Sequence, residues 1–69
     1  MDYGIELKIM RTRRDVTQGQ VAKVAGLNIH TVVDIESDRI EITGDAFRRL
    51  ADAVDKASSD ASEPDIARA

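Results

Sequence analysis

The sequence contains no cysteine, a single histidine and no long apolar run. Without cysteine the chain has no disulfide bonds, no thiolate zinc sites and no thiol catalysis. No apolar segment approaches the roughly 20 residues that a membrane-spanning helix requires. The N-terminal stretch MDYGIELKIM lacks the basic region that begins a signal peptide. We therefore expect a soluble protein of the cytoplasm that makes no contact with a membrane.

Groups for catalysis or metal binding are equally scarce. One histidine in a chain without cysteine is a poor basis for a metal site. The segment that begins at Asp34 resembles a calcium loop only at its start, because Arg39 occupies the position that requires glycine. No nucleophile–base set, phosphate-binding loop or zinc-ligand spacing occurs. The sequence thus predicts no enzymatic activity, no metal and no other cofactor.

Positive charge is also in short supply, since the formal net charge is −3. Domains that bind nucleic acid are usually basic. The deficit is uneven, because residues 1–56 carry 9 basic and 10 acidic side chains, whereas residues 57–69 carry one basic and three acidic ones. Four basic residues lie close together near the N-terminus, namely Lys8, Arg11, Arg13 and Arg14. This is a local basic cluster in a nearly neutral unit, and its simplest interpretation is a solvated helix face.

Apolar spacing and capping residues predict four helices. In the first, Tyr3, Leu7 and Met10 form one apolar stripe. The fourth begins at the N-cap residue Thr43. Its apolar stripe contains Phe47, Leu50, Ala51 and Val54.

The second helix has clear signals at both ends. Thr17 is its N-cap and Gln20 lies at the spacing of a capping box. Val16 and Val21 are placed to pack against each other around this cap as a hydrophobic staple. Gly26 suits the left-handed residue that ends a helix.

The third helix follows directly, with Asn28 as its N-cap. Val32 and Ile35 are its core pair, and Asp38 is expected to take a left-handed turn after it. The residues that must then point outward are Ile29, His30, Val33 and Asp34. Two helices joined across so short a turn predict a helix-turn-helix unit.

The last stretch, ASSDASEPDIARA at residues 57–69, has Ile66 as its one large apolar residue. Such a segment buries too little apolar surface to offset the entropy of ordering it. We therefore predict an ordered domain over residues 1–56 and an acidic, disordered tail over residues 57–69. A short helix after Pro64 is a weaker alternative.

Three segments resemble a known family: LKIMR at residues 7–11, VTQGQVAKVAGLNIHTVVDIE at 16–36, and AFRRLADAVD at 46–55. They are similar to the lambda repressor and Cro family, the xenobiotic-response-element type of helix-turn-helix. The resemblance covers about residues 5–55 and implies a compact all-α domain of four to five helices that binds double-stranded DNA. The chain departs from the family at Ser37-Asp38, where Asn-Gly is usual, and in lacking the loop proline before the fourth helix.

The resemblance also implies roles for individual residues. Arg11 and Glu36 match a family ion pair that links the first helix to the end of the third. Gln18 matches a residue that approaches a phosphate at the start of the second helix, where the helix dipole favours an anion. The positions that the resemblance places at DNA are Thr17, Gln18, Asn28, Ile29, His30, Thr31, Val33, Asp34 and Arg39.

The outward face of the third helix leaves alternatives open. Asp34 can accept a hydrogen bond from cytosine N4, or it can pair with His30 one turn earlier; His30 can contact DNA or remain a solvated side chain. Ile29 and Val33 can contact thymine methyl groups, or they can form a surface for a partner protein.

These observations predict a sequence-specific transcriptional regulator, most simply a repressor that binds a palindromic operator as a homodimer in the cytoplasm, at the nucleoid. The alternative is an antitoxin or antirepressor that uses the same fold mainly to bind a protein. The partner would be held by the acidic tail or by the Ile29–Val33 stripe. A third possibility is a domain that has lost DNA binding altogether.

Overall fold

The structure is a computed structural model, and it describes residues 2–61. This part of the chain contains four α-helices and no strand. In chain order they are α1 (Tyr3–Arg13), α2 (Gln18–Ala25), α3 (Ile29–Glu36) and α4 (Gly44–Ala61). The all-α fold with a helix-turn-helix unit, which the sequence predicts, is confirmed. Among these residues no helix combines the length and hydropathy needed to cross a bilayer.

Every helix contributes side chains to one core. α2 packs against α3 and α4, and α1 packs against the same two helices from the other side. Burying an aliphatic side chain completely contributes about 1.5–3 kcal/mol, so a core this small depends on each of its members. The buried apolar residues are Leu7, Val16, Val21, Ala22, Val32, Ile35, Leu50, Ala53, Val54 and Ala57.

Three of the helices end in the same way. A residue with positive φ follows the last turn of α1, α2 and α3, namely Asp15 (58°), Gly26 (71°) and Asp38 (66°). In each case the next N–H group donates back to a carbonyl five residues earlier, which is the pattern of a Schellman motif. These bonds are Val16 to Arg11 at 3.0 Å, Leu27 to Ala22 at 2.8 Å, and Arg39 to Asp34 at 2.9 Å.

The closest approach between helices involves Gly4, near the start of α1. A Cβ atom placed on Gly4 would lie 2.1 Å from the carbonyl oxygen of Ile35 in α3. Only glycine allows two backbones to come this close. Gly4 therefore fixes how α1 crosses the C-terminal turn of α3.

Helix α4 continues beyond residue 56, where the sequence analysis ends the ordered domain. The helix continues through Ala61 because Ala57 is buried and extends the stripe formed by Leu50, Ala53 and Val54. Packing of one small side chain thus outweighs the polar composition of the segment. The rest of the predicted tail, and the possible helix after Pro64, lie outside the described residues.

Candidate nucleic-acid interface

Side chains cap the start of both helices of the helix-turn-helix unit. The hydroxyl of Thr17 accepts from the N–H of Gln20 at 3.1 Å, and Gln20 Oε1 accepts from the N–H of Thr17 at 2.8 Å. Asn28 Oδ1 accepts from the N–H of His30 at 2.9 Å. A helix start offers four N–H groups without partners in the helix. Each cap satisfies part of this set and leaves other N–H groups able to face an anion.

The two capped helix starts lie near each other. A Cβ placed on Gly19, in the first turn of α2, would be 3.7 Å from Cδ1 of Ile29 and 3.9 Å from the hydroxyl oxygen of Thr17. Ile29 is the first residue of α3. The structure therefore brings Thr17 and Gln18 to the same side of the domain as the beginning of α3.

A buried carboxylate holds this arrangement. Arg11 donates to Glu36 through two bonds, Nε to Oε2 at 2.8 Å and Nη2 to Oε1 at 2.9 Å. Arg11 Nη1 also donates to the carbonyl oxygen of Val16 at 2.9 Å. Gln18 Nε2 donates to Glu36 Oε1 at 3.2 Å. The cluster of Arg11, Val16, Gln18 and Glu36 joins the end of α1, the following turn, the start of α2 and the end of α3.

The low exposure of this cluster makes its ion pair important for the stability of the fold. The side chain of Glu36 is 3% exposed and that of Arg11 is 14% exposed. Removing one partner from such a pair leaves a buried charge uncompensated, which costs about 3–5 kcal/mol. Arg11 and Glu36 therefore couple the orientation of α3 to the stability of the fold.

The outward residues of α3 differ in exposure. His30 is exposed and Ile29 is 44% exposed, whereas Val33 and Asp34 are half-buried. Thr31 lies on a flank of α3 and lines an open groove against α4, together with Leu27 and Ala46. The outward face thus has an exposed N-terminal end and a more sheltered C-terminal end.

Asp34 has a different partner from the one that helix periodicity favours. Its Oδ1 lies 3.6 Å from Nη1 of Arg39. Within the described part of the chain, Asp34 and His30 share no hydrogen bond or ion pair, so the structure does not contain the second of the two alternatives for Asp34. The turn at Asp38 brings Arg39 back over the last turn of α3, which the spacing of residues along a helix does not reveal.

The basic cluster near the N-terminus is partly used inside the protein. Arg11 is bound to Glu36, and Arg14 forms an ion pair with Asp55 of α4. Lys8 and Arg13 are exposed. The cluster is therefore not one open patch of positive charge, because two of its members form ion pairs within the domain.

Two features of this site were not predicted. Gln18 donates to Glu36, and Arg39 pairs with Asp34. The signal for the second was the left-handed residue Asp38 between the two charges. In residues 2–59, whose side chains the structure describes, no group of three or more His, Asp or Glu side chains could hold a metal ion.

Comparison with known families identifies the domain. The family described as "Helix-turn-helix domain" matches residues 2–60, which is most of the chain. Comparison with curated proteins and with solved structures gives no match. Domains of this type place the second helix of the unit in the major groove of DNA, and the match agrees with the resemblance to the lambda repressor and Cro family. The chain belongs to the helix-turn-helix domain family.

Proposed function

We propose that this protein is a sequence-specific transcriptional regulator, most simply a repressor that binds a palindromic operator as a dimer through α3. The observation that carries the proposal is the cluster of Arg11, Gln18 and Glu36, which fixes α3 from inside. Both carboxylate oxygens of Glu36 accept hydrogen bonds within this cluster, and the opposite side of α3 is exposed at its N-terminal end. A helix held rigidly with one face open is suited to reading a groove.

Phosphate contacts would come from the helix starts. Thr17 and Gln18 at the start of α2, and Asn28 at the start of α3, lie where backbone N–H groups and the helix dipole favour an anion. Such contacts position a protein on DNA without carrying sequence information.

Base contacts would come from the outward face of α3. His30 can donate to a base edge or accept from one, and Asp34 can accept from cytosine N4. Ile29 and Val33 can contact thymine methyl groups. Thr31, at the rim of the groove against α4, would contact only the edge of the site. This set favours cytosine and thymine over guanine, because it contains no Arg or Lys.

Dimerisation follows from the size of the interface. One small module buries about 600–1,000 Å² of protein surface on DNA, which supports modest affinity. Two copies on half-sites about 34–36 Å apart, centre to centre, would each lie half a helical turn from the two-fold axis. The formal net charge of −3 makes a second copy more necessary, since it weakens the general attraction to phosphates.

Selection of binding sites from random duplexes tests the proposal. The full chain should enrich a palindrome at low and at moderate salt, and its affinity should fall linearly with salt on logarithmic axes. A matched control is the Glu36→Ala variant, which should enrich nothing because α3 is no longer held. Absence of any enriched sequence for the unchanged chain would overturn the proposal.

A second candidate is an antitoxin or antirepressor whose main partner is a protein. The observation in its favour is the apolar exposure beside the helix starts, where Leu27 is 40% and Ile29 is 44% exposed. Exposed neighbouring apolar residues are typical of protein interfaces. A defined partner that binds equally well at low and high salt, together with failure to enrich a duplex, would favour this candidate.

A further inference from the structure

The backbone at the end of α3 sets Arg39 beside Asp34. Asp38 has a φ of 66°, and this left-handed residue turns the chain back on itself. The N–H groups of Arg39 and Ile40 both donate to the carbonyl oxygen of Asp34, at 2.9 and 3.3 Å. The proximity of residues 34 and 39 is therefore a property of the helix end and not of one side-chain rotamer.

The corresponding position in α2 shows what is unusual here. At the end of α2, the bond from Leu27 to Ala22 brings together two apolar residues. An apolar contact commonly accompanies this kind of helix end. In α3 the same two positions carry opposite charges. At the edge of the outward face, an ion pair thus occupies the two positions where an apolar contact is usual.

The ion pair leaves the carboxylate of Asp34 partly accessible. Arg39 Nη1 approaches Oδ1 of Asp34 at 3.6 Å, and the side chain of Asp34 is 36% exposed. Within the described residues, neither carboxylate oxygen takes part in a hydrogen bond. The carboxylate thus lies close to the guanidinium and can still accept a hydrogen bond from outside.

Asp34 meets a conflict on DNA that Arg39 can resolve. A carboxylate is an acceptor for the N4 amino group of cytosine. The same charge is repelled by the phosphates, which supply one negative charge per about 1.7 Å of duplex. A guanidinium 3.6 Å from Oδ1 offsets part of this repulsion, while the partly exposed carboxylate can still accept a hydrogen bond.

We infer that Arg39 is a specificity-determining residue that acts through Asp34: it screens the carboxylate so that Asp34 can read a cytosine in each half-site. The inference rests on the proposed function, since it requires α3 to enter the major groove. Arg39 is a positioning residue here and not an independent phosphate contact. These two roles make different predictions when Asp34 loses its charge.

A double-mutant cycle separates the two roles. The probes are the duplex that the unchanged full chain selects, and the same duplex with T·A in place of the C·G pair assigned to Asp34. The proteins are the unchanged chain, Arg39→Ala, Asp34→Asn and the double variant. We expect Arg39→Ala to weaken binding to the cytosine duplex about tenfold when Asp34 is present, and less than about twofold in the Asp34→Asn background.

Base preference distinguishes this role from a merely structural one, because a structural role would leave the base preference unchanged. Arg39→Ala should reduce the discrimination between the cytosine and thymine duplexes, and Arg39→Lys should restore most of it. Arg48→Ala is the matched control, because Arg48 is an exposed arginine on α4. Its effect should be the same in both backgrounds and on both duplexes. Unfolding of each variant, measured in parallel, shows whether the fold is intact.

The outcomes are distinct. Equal weakening by Arg39→Ala in both backgrounds, with base discrimination unchanged, overturns the inference and leaves the proposed function standing. Arg39 would then be an ordinary phosphate contact. If the unchanged chain selects no duplex at all, the proposed function fails and this inference fails with it. Coupling between the two positions together with loss of cytosine preference supports the inference.

Discussion

The last turn of α3 contains two carboxylates, Asp34 and Glu36, each in an ion pair with an arginine. The two ion pairs differ in their burial and in the distance between the charged groups. Glu36 points inward and is bound by Arg11 through two bonds of 2.8 and 2.9 Å, with a side chain only 3% exposed. Asp34 points outward and meets Arg39 at 3.6 Å, with a side chain 36% exposed. One helix turn thus presents a carboxylate to the interior and another to solvent.

The difference shows how burial changes the role of the same chemical pair. A buried pair gains strength from low dielectric and loses much when one partner is removed. A pair near solvent is screened and contributes about 0–1 kcal/mol. The inner pair, Arg11 and Glu36, therefore determines where α3 lies. The outer pair, Arg39 and Asp34, can change only what the outward face of α3 attracts. Under the proposed function, structure and recognition would rest on different carboxylates of one short helix.

Loss of the inner pair should have the largest effect. We expect Arg11→Ala to lower the free energy of unfolding by about 3–5 kcal/mol, because Glu36 is left as an uncompensated buried charge. Denaturant unfolding followed by helical circular dichroism measures this. Arg13→Ala is the matched control, since it removes an exposed arginine from the same helix turn. If Arg11→Ala lowers the free energy of unfolding no more than Arg13→Ala does, the inner pair does not stabilise the fold.

Crowding the α1–α3 crossing should have the next largest effect. A methyl group on Gly4 would meet the carbonyl oxygen of Ile35, at 2.1 Å from an unshifted backbone. We expect Gly4→Ala to destabilise the fold by about 1–3 kcal/mol, as overpacking of a core does. The same experiment sharpens the comparison, because it displaces the α3 turn that carries both carboxylates without touching either charge.

Gly19→Ala is the control for Gly4→Ala. Both glycines lie in the first turn of a helix, but the Cβ at Gly19 would have only ordinary contacts, the nearest at 3.7 Å. We expect Gly19→Ala to leave stability unchanged or raise it by up to about 1 kcal/mol, because alanine is the better helix former. Equal stability of the two variants would contradict the close approach of α1 and α3 at Gly4.

Local signals made most of this fold predictable. Thr17, Gln20, Gly26 and Asn28 lie at the helix ends where capping rules place them, since these interactions join residues close in sequence. Val32 and Ile35 are buried, as helix periodicity requires. The pairing of Arg11 with Glu36, 25 residues apart, was implied only by family resemblance.

Features that depend on packing between helices were missed. Gly4 gives no sign in the sequence that another backbone approaches it, and Ala57 is buried within a segment whose composition suggests disorder. The contact between Asp34 and Arg39 was also missed. Periodicity favoured His30 one turn away, but the left-handed Asp38 brings Arg39 closer. Each of these contacts is set by how helices and turns come together in three dimensions, which the spacing of residues in the sequence does not show.

Loss of the outer pair should have the smallest effect on stability. We expect Arg39→Ala to change the free energy of unfolding by less than about 0.5 kcal/mol, because its side chain is 75% exposed and its contact with Asp34 is long. The measurement is the same denaturant titration, repeated at low and high salt. A loss as large as that of Arg11→Ala would mean that both pairs hold the fold and would erase the contrast between them.

The most direct test of α3 as the reading helix compares the duplexes selected by the unchanged chain and by Asp34→Asn. The amide keeps the shape of the side chain but removes its charge, and it favours adenine where the carboxylate favours cytosine. We predict a changed base preference at one position in each half-site, with unfolding stability unaltered. An identical selected sequence for both proteins would contradict the placement of the outward face of α3 against DNA.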